Sequence, residues 1–276
     1  VISRIVYLLQ GKLRPDFEGI ELGVAERLAI RAIAKSAGSD NAEKNIESEY
    51  RKSGDLGHAA SKILEQKEQT TFMVQDITVE RVYENLFTIA KLEGSKTQDR
   101  KMKYISGLLN DASPVEAKFI LKILLGTLRL GVAENTVMDA LAIAFTGNKE
   151  NRKILEHAYN VSSDLGKVAE TIASKGIVGI EGFEINLFNP IRPMLADRVK
   201  SEEEAIEKLG IKFAAEYKLD GERVQLHIEG EKVVLFSRSL ENITSYYPDI
   251  VEKIPKAIQA HKVILEAEAV AINENT

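Results

Sequence analysis

A lysine among carboxylates poses the first chemical question of this chain, in the stretch "EYKLDGERVQ" from Glu216 to Gln225. Only the neutral amine of a lysine attacks an electrophile, and Glu216 and Asp220 beside Lys218 favour its charged form. Such a lysine becomes a nucleophile where positive charge offsets the two carboxylates. Here a divalent cation and the guanidinium groups of Arg223 or Arg238 would supply it. Carboxylates, a lysine and arginines in one short stretch therefore point to metal and phosphate together. The structural alternative is a surface hairpin carrying an i, i+2 charge pair, since Asp-Gly is a preferred turn pair where the backbone needs positive φ.

A second group of residues could hold an anion without reacting with it. "GKLR" at Gly11 to Arg14 and "GTLR" at Gly126 to Arg129 each precede a helix that opens at Gly-Val-Ala-Glu, at Gly23 and at Gly131. Glycines there let backbone N–H groups and a helix N-terminus approach an anion closely, and Lys12, Arg14 and Arg129 add charge. Two such elements would suit the two strands of a duplex, with phosphate contacts and no reading of bases. Alternatively these glycines end helices and the arginines are solvated. Other chemistries are excluded: with no cysteine there is no disulfide, cysteine-zinc site or thiol nucleophile. The histidines at 58, 157, 227 and 261 show no metal-ligand spacing and read as incidental.

The elements that must position these residues differ between the two halves. Up to about Lys175 the apolar residues recur at helical spacing, as in "TVERVYENLFTIAKL" and "SPVEAKFILKILLGTL", the latter opened by a capping box with proline at its first helical position. From Phe213 the period becomes two, in "FAAEYKL", "RVQLHIEG", "KVVLFSRS" and "KVILEAEAVAI", with Asp220-Gly221 and Glu229-Gly230 as turns. Between them "NLFNPIRPML" carries two prolines and reads as a linker. "SEEEAIEKLG" at Ser201 to Gly210 reads as a solvated amphipathic helix. The helical half also repeats itself. Gly23 and Gly131 stand 108 apart, the "SGDLGHAASKI" and "SSDLGKVAETI" stretches 109 apart, and the two Gly-x-Leu-Arg elements 115 apart, the first copy carrying extra residues within "PDFEGIE". The expected organisation is an all-α, duplicated, pseudo-twofold domain at 1–186, followed by the antiparallel-β-rich start of a second domain at 187–276.

The net charge of −5 argues against an indiscriminately basic nucleic-acid coat while leaving local basic faces open. No apolar run reaches the roughly 18 residues of a bilayer span, and the N-terminus lacks signal-peptide order. A cytoplasmic chain free of membrane is expected. Val1 is not an initiator methionine and Thr276 follows a strand directly, so the chain reads as a fragment.

Four motifs in order carry a resemblance. "KLDGER" at Lys218 to Arg223 resembles the nucleotidyltransferase motif Lys-x-Asp-Gly-x-Arg of ATP-dependent DNA ligases and RNA capping enzymes. "FSRSLENIT" at Phe236 to Thr244 resembles the next ligase motif. "VILEAEAVA" at Val263 to Ala271 resembles the strand bearing the third motif's glutamate, and "IRPMLA" at Ile191 to Ala196 the segment opening the adenylation domain. "KFILKILLGTLRLGVAENTVMDALA" is similar to the central segment of the DNA-binding domain of archaeal and eukaryotic replicative ligases, which capping enzymes and RNA ligases lack. The archaeal ATP-dependent DNA ligases are the nearest resemblance, over essentially the whole chain.

The resemblance implies that Lys218 forms a lysyl-AMP phosphoramidate. Glu216 would contact the adenine, Arg223 and Arg238 the ribose and phosphates, and Glu268 the ribose or a catalytic Mg²⁺. Glu266 and Glu268 share a strand face, and the motif alone selects Glu268. The implied substrates are ATP and nicked duplex DNA, the implied state a monomer, and later motifs with an OB-fold domain would lie beyond Thr276. "QTTFMV" at Gln69 to Val74 falls where archaeal ligases carry an element that docks on the sliding clamp, which makes Gln69, Phe72 and Met73 clamp-binding candidates. The competing reading there is a hydrophobic staple for the next helix. Competing functions are a non-catalytic DNA- or clamp-binding helical module with a vestigial second domain, which has no use for a reactive Lys218, and an RNA ligase or capping-type enzyme, which has no use for the duplicated helices.

Overall fold

The computed structural model describes residues 1–39, 41–66, 75–94, 96–194 and 196–272. Two compact units emerge, one of Val1–Glu156 with Asp164–Gly182, the other of His157–Ser163 with Phe183–Thr276. The first is helical: α1 (Ile2–Leu9), α2 (Glu26–Ala37), α3 (Ala42–Ser53), α4 (Leu56–Glu65), α5 (Val79–Lys91), α6 (Thr97–Asp111), α7 (Pro114–Leu124), α8 (Glu134–Thr146) and α10 (Leu165–Glu181), with α9 (Arg152–Ser162) contributing to both units. Leu13, Ile33, Ile46, Leu86, Ile105 and Leu121 lie at the centre of its core, each essentially inaccessible. Helix starts follow local chemistry. At α7 the Ser113 hydroxyl accepts from the Glu116 N–H at 3.3 Å while the Glu116 carboxylate accepts from the Ser113 N–H at 2.8 Å, with Pro114 in the first turn.

The internal repeat becomes an interlock. α1 packs against α10, and α7 against α4, so the first helix of each copy embraces the last helix of the other. Asp55 caps α4 by accepting from the His58 N–H, and Asp164 caps α10 by accepting from the Lys167 N–H. Each capping aspartate also takes a donor from the other copy: Lys122 of α7 reaches Asp55 at 2.6 Å, and the Tyr7 hydroxyl of α1 donates to Asp164 at 2.6 Å. Tyr7 and Lys122 stand at the same 115-residue offset as the Gly-x-Leu-Arg elements. Two residues after each aspartate, Gly57 and Gly166 are glycine for space: a Cβ would lie 2.7 Å from the Lys118 carbonyl oxygen and 2.2 Å from the Tyr7 ring, respectively. Burial and the adjacent Asp164 charge hold the Tyr7 hydroxyl well above the ordinary tyrosine range.

In the second unit a three-stranded antiparallel sheet has the order β2-β1-β3, with β1 (Glu222–Glu229) between β2 (Lys232–Ser237) and β3 (Lys262–Ala269). β1 and β2 join through Gly230, whose φ of 60° serves a two-residue hairpin loop. Val224, Leu226 and Ile228 face the unit's apolar cluster with Val233 and Leu235, against Ile250, Val251 and Ile254 of α12 (Pro248–Ala257). Arg223, Gln225 and His227 occupy the opposite face. α11 (Glu202–Leu209) buries none of its residues, as expected of a solvated helix.

Three expectations are corrected here. "FAAEYKL" forms no strand: residues 212–219 have no regular structure and are exposed throughout, because no described strand pairs with them and unpaired β backbone gains nothing over solvated chain. Asp220-Gly221 is a bend leading into β1 and closes no hairpin, and Gly221 lacks positive φ. "NLFNPIRPML" is no free linker. It lies along β1, with the Phe188 N–H donating to His227 Nδ1 at 2.8 Å and the Ile191 N–H to Gln225 Oε1 at 2.7 Å.

Candidate functional site

The polar face of the small sheet gathers several of the residues singled out by type. Arg223 stands in register opposite Glu268 of β3, and Gln225 opposite Glu266, so both glutamates share the face of Arg223. The Arg223 guanidinium donates to the Glu266 carboxylate, which also accepts from the Gln225 amide at 3.2 Å. Arg238, just past the end of β2, joins Arg223, Gln225 and Glu266 in lining one small pocket, closed on another side by Ile191 and Pro193. Glu268 is half-buried and has no hydrogen-bond or ion-pair partner among the described residues.

Glu216 and Lys218 sit on the exposed segment leading into β1, and no hydrogen bond or ion pair holds either against Arg223, Arg238 or Glu268. Gly221 explains how that segment approaches the face, since a Cβ there would sit 2.4 Å from the Ala269 carbonyl oxygen and 3.0 Å from the Glu268 side chain. Glycine in the Lys-x-Asp-Gly run thus allows close passage of β3 at its glutamate.

Two further residues of this site escaped the sequence reading. His227 is fully buried, accepts from the Phe188 N–H at Nδ1, and from Nε2–H donates to Gln225 Oε1 at 2.8 Å. Its ring meets Phe236 edge-on at 5.0 Å, and burial pulls its pKa down to about 4. Gln225 completes the clasp by donating to the Ile191 carbonyl at 3.0 Å. The pair fastens the 187–192 strap over the sheet beside Arg223. Period-two alternation correctly puts them on the face away from the core, and no local signal says that a distant strap covers that face.

A cation fits this donor set in a limited way. Among the described residues no group of three or more His, Cys, Asp or Glu could hold a metal ion by itself. Mg²⁺ commonly takes one or two carboxylates and completes its shell with water and substrate phosphates. Glu268, unpartnered beside an arginine-lined pocket, meets that requirement.

In the helical unit the proposed anion elements differ from one another. Lys12 is paired with Asp16 at 2.5 Å; Arg14 lies 3.8 Å from Glu18 with its guanidinium 5.5 Å above the Phe87 ring. Arg129 is exposed without an ion-pair partner among the described residues, next to exposed Leu130, Val132 and Gly131, the last at φ 67°. The two loops are neighbours, because a Cβ on Gly11 would meet Leu128 at 3.7 Å. α2 and α8 both open after an alanine, Ala25 and Ala133, and so have no side-chain cap, in contrast to α4, α5, α7, α10 and α11. Their first N–H groups remain available to an anion. Gln69, Phe72 and Met73 lie outside the described residues.

Comparison with known proteins agrees with the motif order. Residues 2–142 match the family described as DNA ligase N terminus, and residues 193–276 match the ATP dependent DNA ligase domain. The chain belongs to the ATP-dependent DNA ligase family. Over its whole length it is 81% identical to a DNA ligase of Nitrosopumilus maritimus, 67% identical to a DNA ligase of Cenarchaeum symbiosum and, at 47%, similar to DNA ligase 2 of Thermofilum pendens. It covers 47%, 46% and 47% of those proteins respectively, and so spans about half the length of the relatives it matches. Among the described residues no helix is long and apolar enough to cross a membrane.

Proposed function

We propose that this chain is the N-terminal part of an enzyme that uses ATP to seal nicks in duplex DNA. The observation that carries the reading is the junction of Lys218, on an accessible segment, with a sheet face on which Arg223, Arg238 and Glu268 are grouped. The Lys218 amine attacks the α-phosphorus of ATP; a P–N bond forms, the bond to the bridging oxygen breaks, and pyrophosphate leaves. The 5′-phosphate at the nick then attacks the same phosphorus, AMP passes to it and Lys218 is released. The adjacent 3′-hydroxyl finally attacks that 5′-phosphate and expels AMP. Arg223 and Arg238 neutralise charge on the nucleotide, Glu216 orients the adenine, and Glu268 would hold Mg²⁺, which supplies further charge neutralisation when bound.

The helical unit holds the duplex through its backbone. The exposed, unpartnered Arg129 with Gly131 and the uncapped N-termini of α2 and α8 support this reading, with Lys12 and Arg14 alongside. Gln69, Phe72 and Met73 dock on a sliding clamp. Phe72→Ala then abolishes clamp binding at unchanged thermal stability, whereas a loss of roughly 3 kcal/mol with clamp binding retained marks Phe72 as a core staple. The protein works as a monomer in the cytoplasm, free of membrane. The direct test is conversion of a nicked duplex to a continuous strand by the full-length protein with ATP and Mg²⁺. Absence of the sealed product while the protein still binds the duplex supports instead a non-catalytic DNA-binding module.

A further inference from the structure

α2 carries three exposed cations at i, i+4 and i+8, Arg27, Arg31 and Lys35. None has a carboxylate partner among the described residues. Several exposed helix cations elsewhere are answered by an acid four residues away, as in Arg51–Glu47 at 3.9 Å, Arg152–Glu156 at 3.5 Å, Lys208–Glu204 at 3.2 Å and Lys256–Glu252 at 3.4 Å, while single cations such as Lys44 and Lys153 have no such partner among the described residues; α2 differs in carrying three in one row. Like charges at i, i+4 weaken a helix, so the stripe costs stability that no acidic partner among the described residues returns. α6 packs against α2, with the Ser36 hydroxyl donating to the Ser106 carbonyl at 3.2 Å and buried Lys101 donating to the Leu22 and Gly23 carbonyls at 2.9 and 3.2 Å. Arg100 and Lys103 of α6, and Lys96 just before it, are exposed and have no carboxylate within ion-pair distance among the described residues, although Asp99 shares the first turn of α6 with them.

The internal duplication supplies the control. At the 108-residue offset, α8 carries Asn135, Asp139 and Ile143 in place of Arg27, Arg31 and Lys35, and it forms an equivalent helix with the same alanine start and glycine end. The fold therefore does not require the stripe. Protein partners are gripped through buried apolar or aromatic anchors, yet α2 exposes no large apolar side chain and α6 exposes only Tyr104. Five exposed cations on two packed helices, with Lys96 just before α6 as a sixth, suit a polyanion in a chain of net charge −5. From Arg27 to Lys35 the stripe runs about 12 Å, a length over which duplex DNA presents about seven backbone charges.

We propose that the α2–α6 face binds the sugar-phosphate backbone of duplex DNA without reading bases, as a contact additional to the Arg129 loop. This rests on the DNA-binding reading above. The test is the affinity of the chain for a nicked duplex, measured across a salt series, for the unaltered protein and for the triple variant Arg27→Ala, Arg31→Ala, Lys35→Ala. Each phosphate that the protein no longer neutralises reduces the slope of log K against log salt by about 0.9, so the triple variant shows a slope shallower by about 1 to 3 units. The charge-keeping triple Arg27→Lys, Arg31→Lys, Lys35→Arg retains the original slope. Arg100→Ala with Lys103→Ala, monitored for helical content by circular dichroism, gives a second reading independent of α2. Slopes that fall by less than about one unit in both variants overturn the proposal, including where the variants lose binding to an acidic protein. An unaltered protein that fails to bind the duplex overturns the DNA-binding reading and this face together; steep binding unaffected by either variant removes this face alone.

Discussion

Gly166→Ala tests the interlock of the two helical copies through the sign of its effect. In an open helix, Gly→Ala stabilises by up to about 1 kcal/mol. At Gly166 the new methyl would lie 2.2, 2.5 and 2.7 Å from three atoms of the Tyr7 ring, far inside carbon contact distance. That ring is 5% exposed and its hydroxyl is held by Asp164 at 2.6 Å, so it has no free direction of escape. Overpacking of this kind costs about 1–3 kcal/mol, and displacing the charge-assisted hydrogen bond adds a comparable amount. After the propensity gain is subtracted, a net loss of about 2 kcal/mol is expected, or a fall in Tm of roughly 4–8 °C for a unit of this size. Gly107, within α6, has nothing within 4 Å of a would-be Cβ and serves as the opposite case, with a gain of about 0.5–1 kcal/mol expected for Gly107→Ala. Urea unfolding followed by far-ultraviolet circular dichroism reads both. Truncating Tyr7 to Ala in the Gly166→Ala background should cost less than in the parent, because the clash is gone. Stabilisation by Gly166→Ala, matching Gly107→Ala, would refute the interlock.

Acid should weaken the second unit through His227. Its pKa falls from 6.5 in the unfolded chain to about 4 in the folded one, so the neutral form is favoured by folding and the stability it contributes is lost as pH falls from about 6.5 to about 4. The full loss is about 3 kcal/mol, read as unfolding against pH; a flat profile over that window contradicts the buried neutral imidazole. The two arginines of the repeated loops should separate, with Arg129→Ala lowering the salt slope of duplex binding by about 0.9 at unchanged stability. Arg14→Ala should lower the slope by less, because Arg14 already lies near Glu18 and over the Phe87 ring, and should also remove a cation–π contact worth about 0.5–1 kcal/mol; equal effects on slope and stability would show that both copies grip DNA alike.

Much of this architecture was legible in the sequence because the signals were local. The capping box at Ser113 and the repeat offsets survive in the structure, and the change from helices to strands is there too, though the first strand starts at Glu222 and not near Phe213. The repeated Gly-x-Leu-Arg elements begin four residues after the most informative pair. Tyr7 and Lys122 look unrelated as residue types, yet both donate to the other copy's capping aspartate, and only the packing of α1 on α10 and α7 on α4 reveals the common task. Residues 213–219 misled for a physical reason: Phe213, Tyr217 and Leu219 alternate as a strand does, but alternation reports a possible face and not the presence of a pairing partner. His227 and Gln225 were invisible as structural residues because the strap that buries them comes from more than thirty residues away. At the candidate site, residue types marked Arg223 and Arg238, while Glu266 as the partner of Arg223 emerged only from the β1–β3 register.

The central claim is that Lys218 is the nucleophile, and the mass of the full-length protein after incubation with ATP and Mg²⁺ tests it most directly. The account predicts a gain of one AMP, located on the peptide containing Lys218, and its complete absence in Lys218→Arg, whose guanidinium keeps the charge but cannot lose the proton. Nicked-duplex binding should remain in that variant, because the proposed duplex contacts lie in the helical unit. An adduct that persists in Lys218→Arg, or that maps to another residue in the parent, would contradict the account.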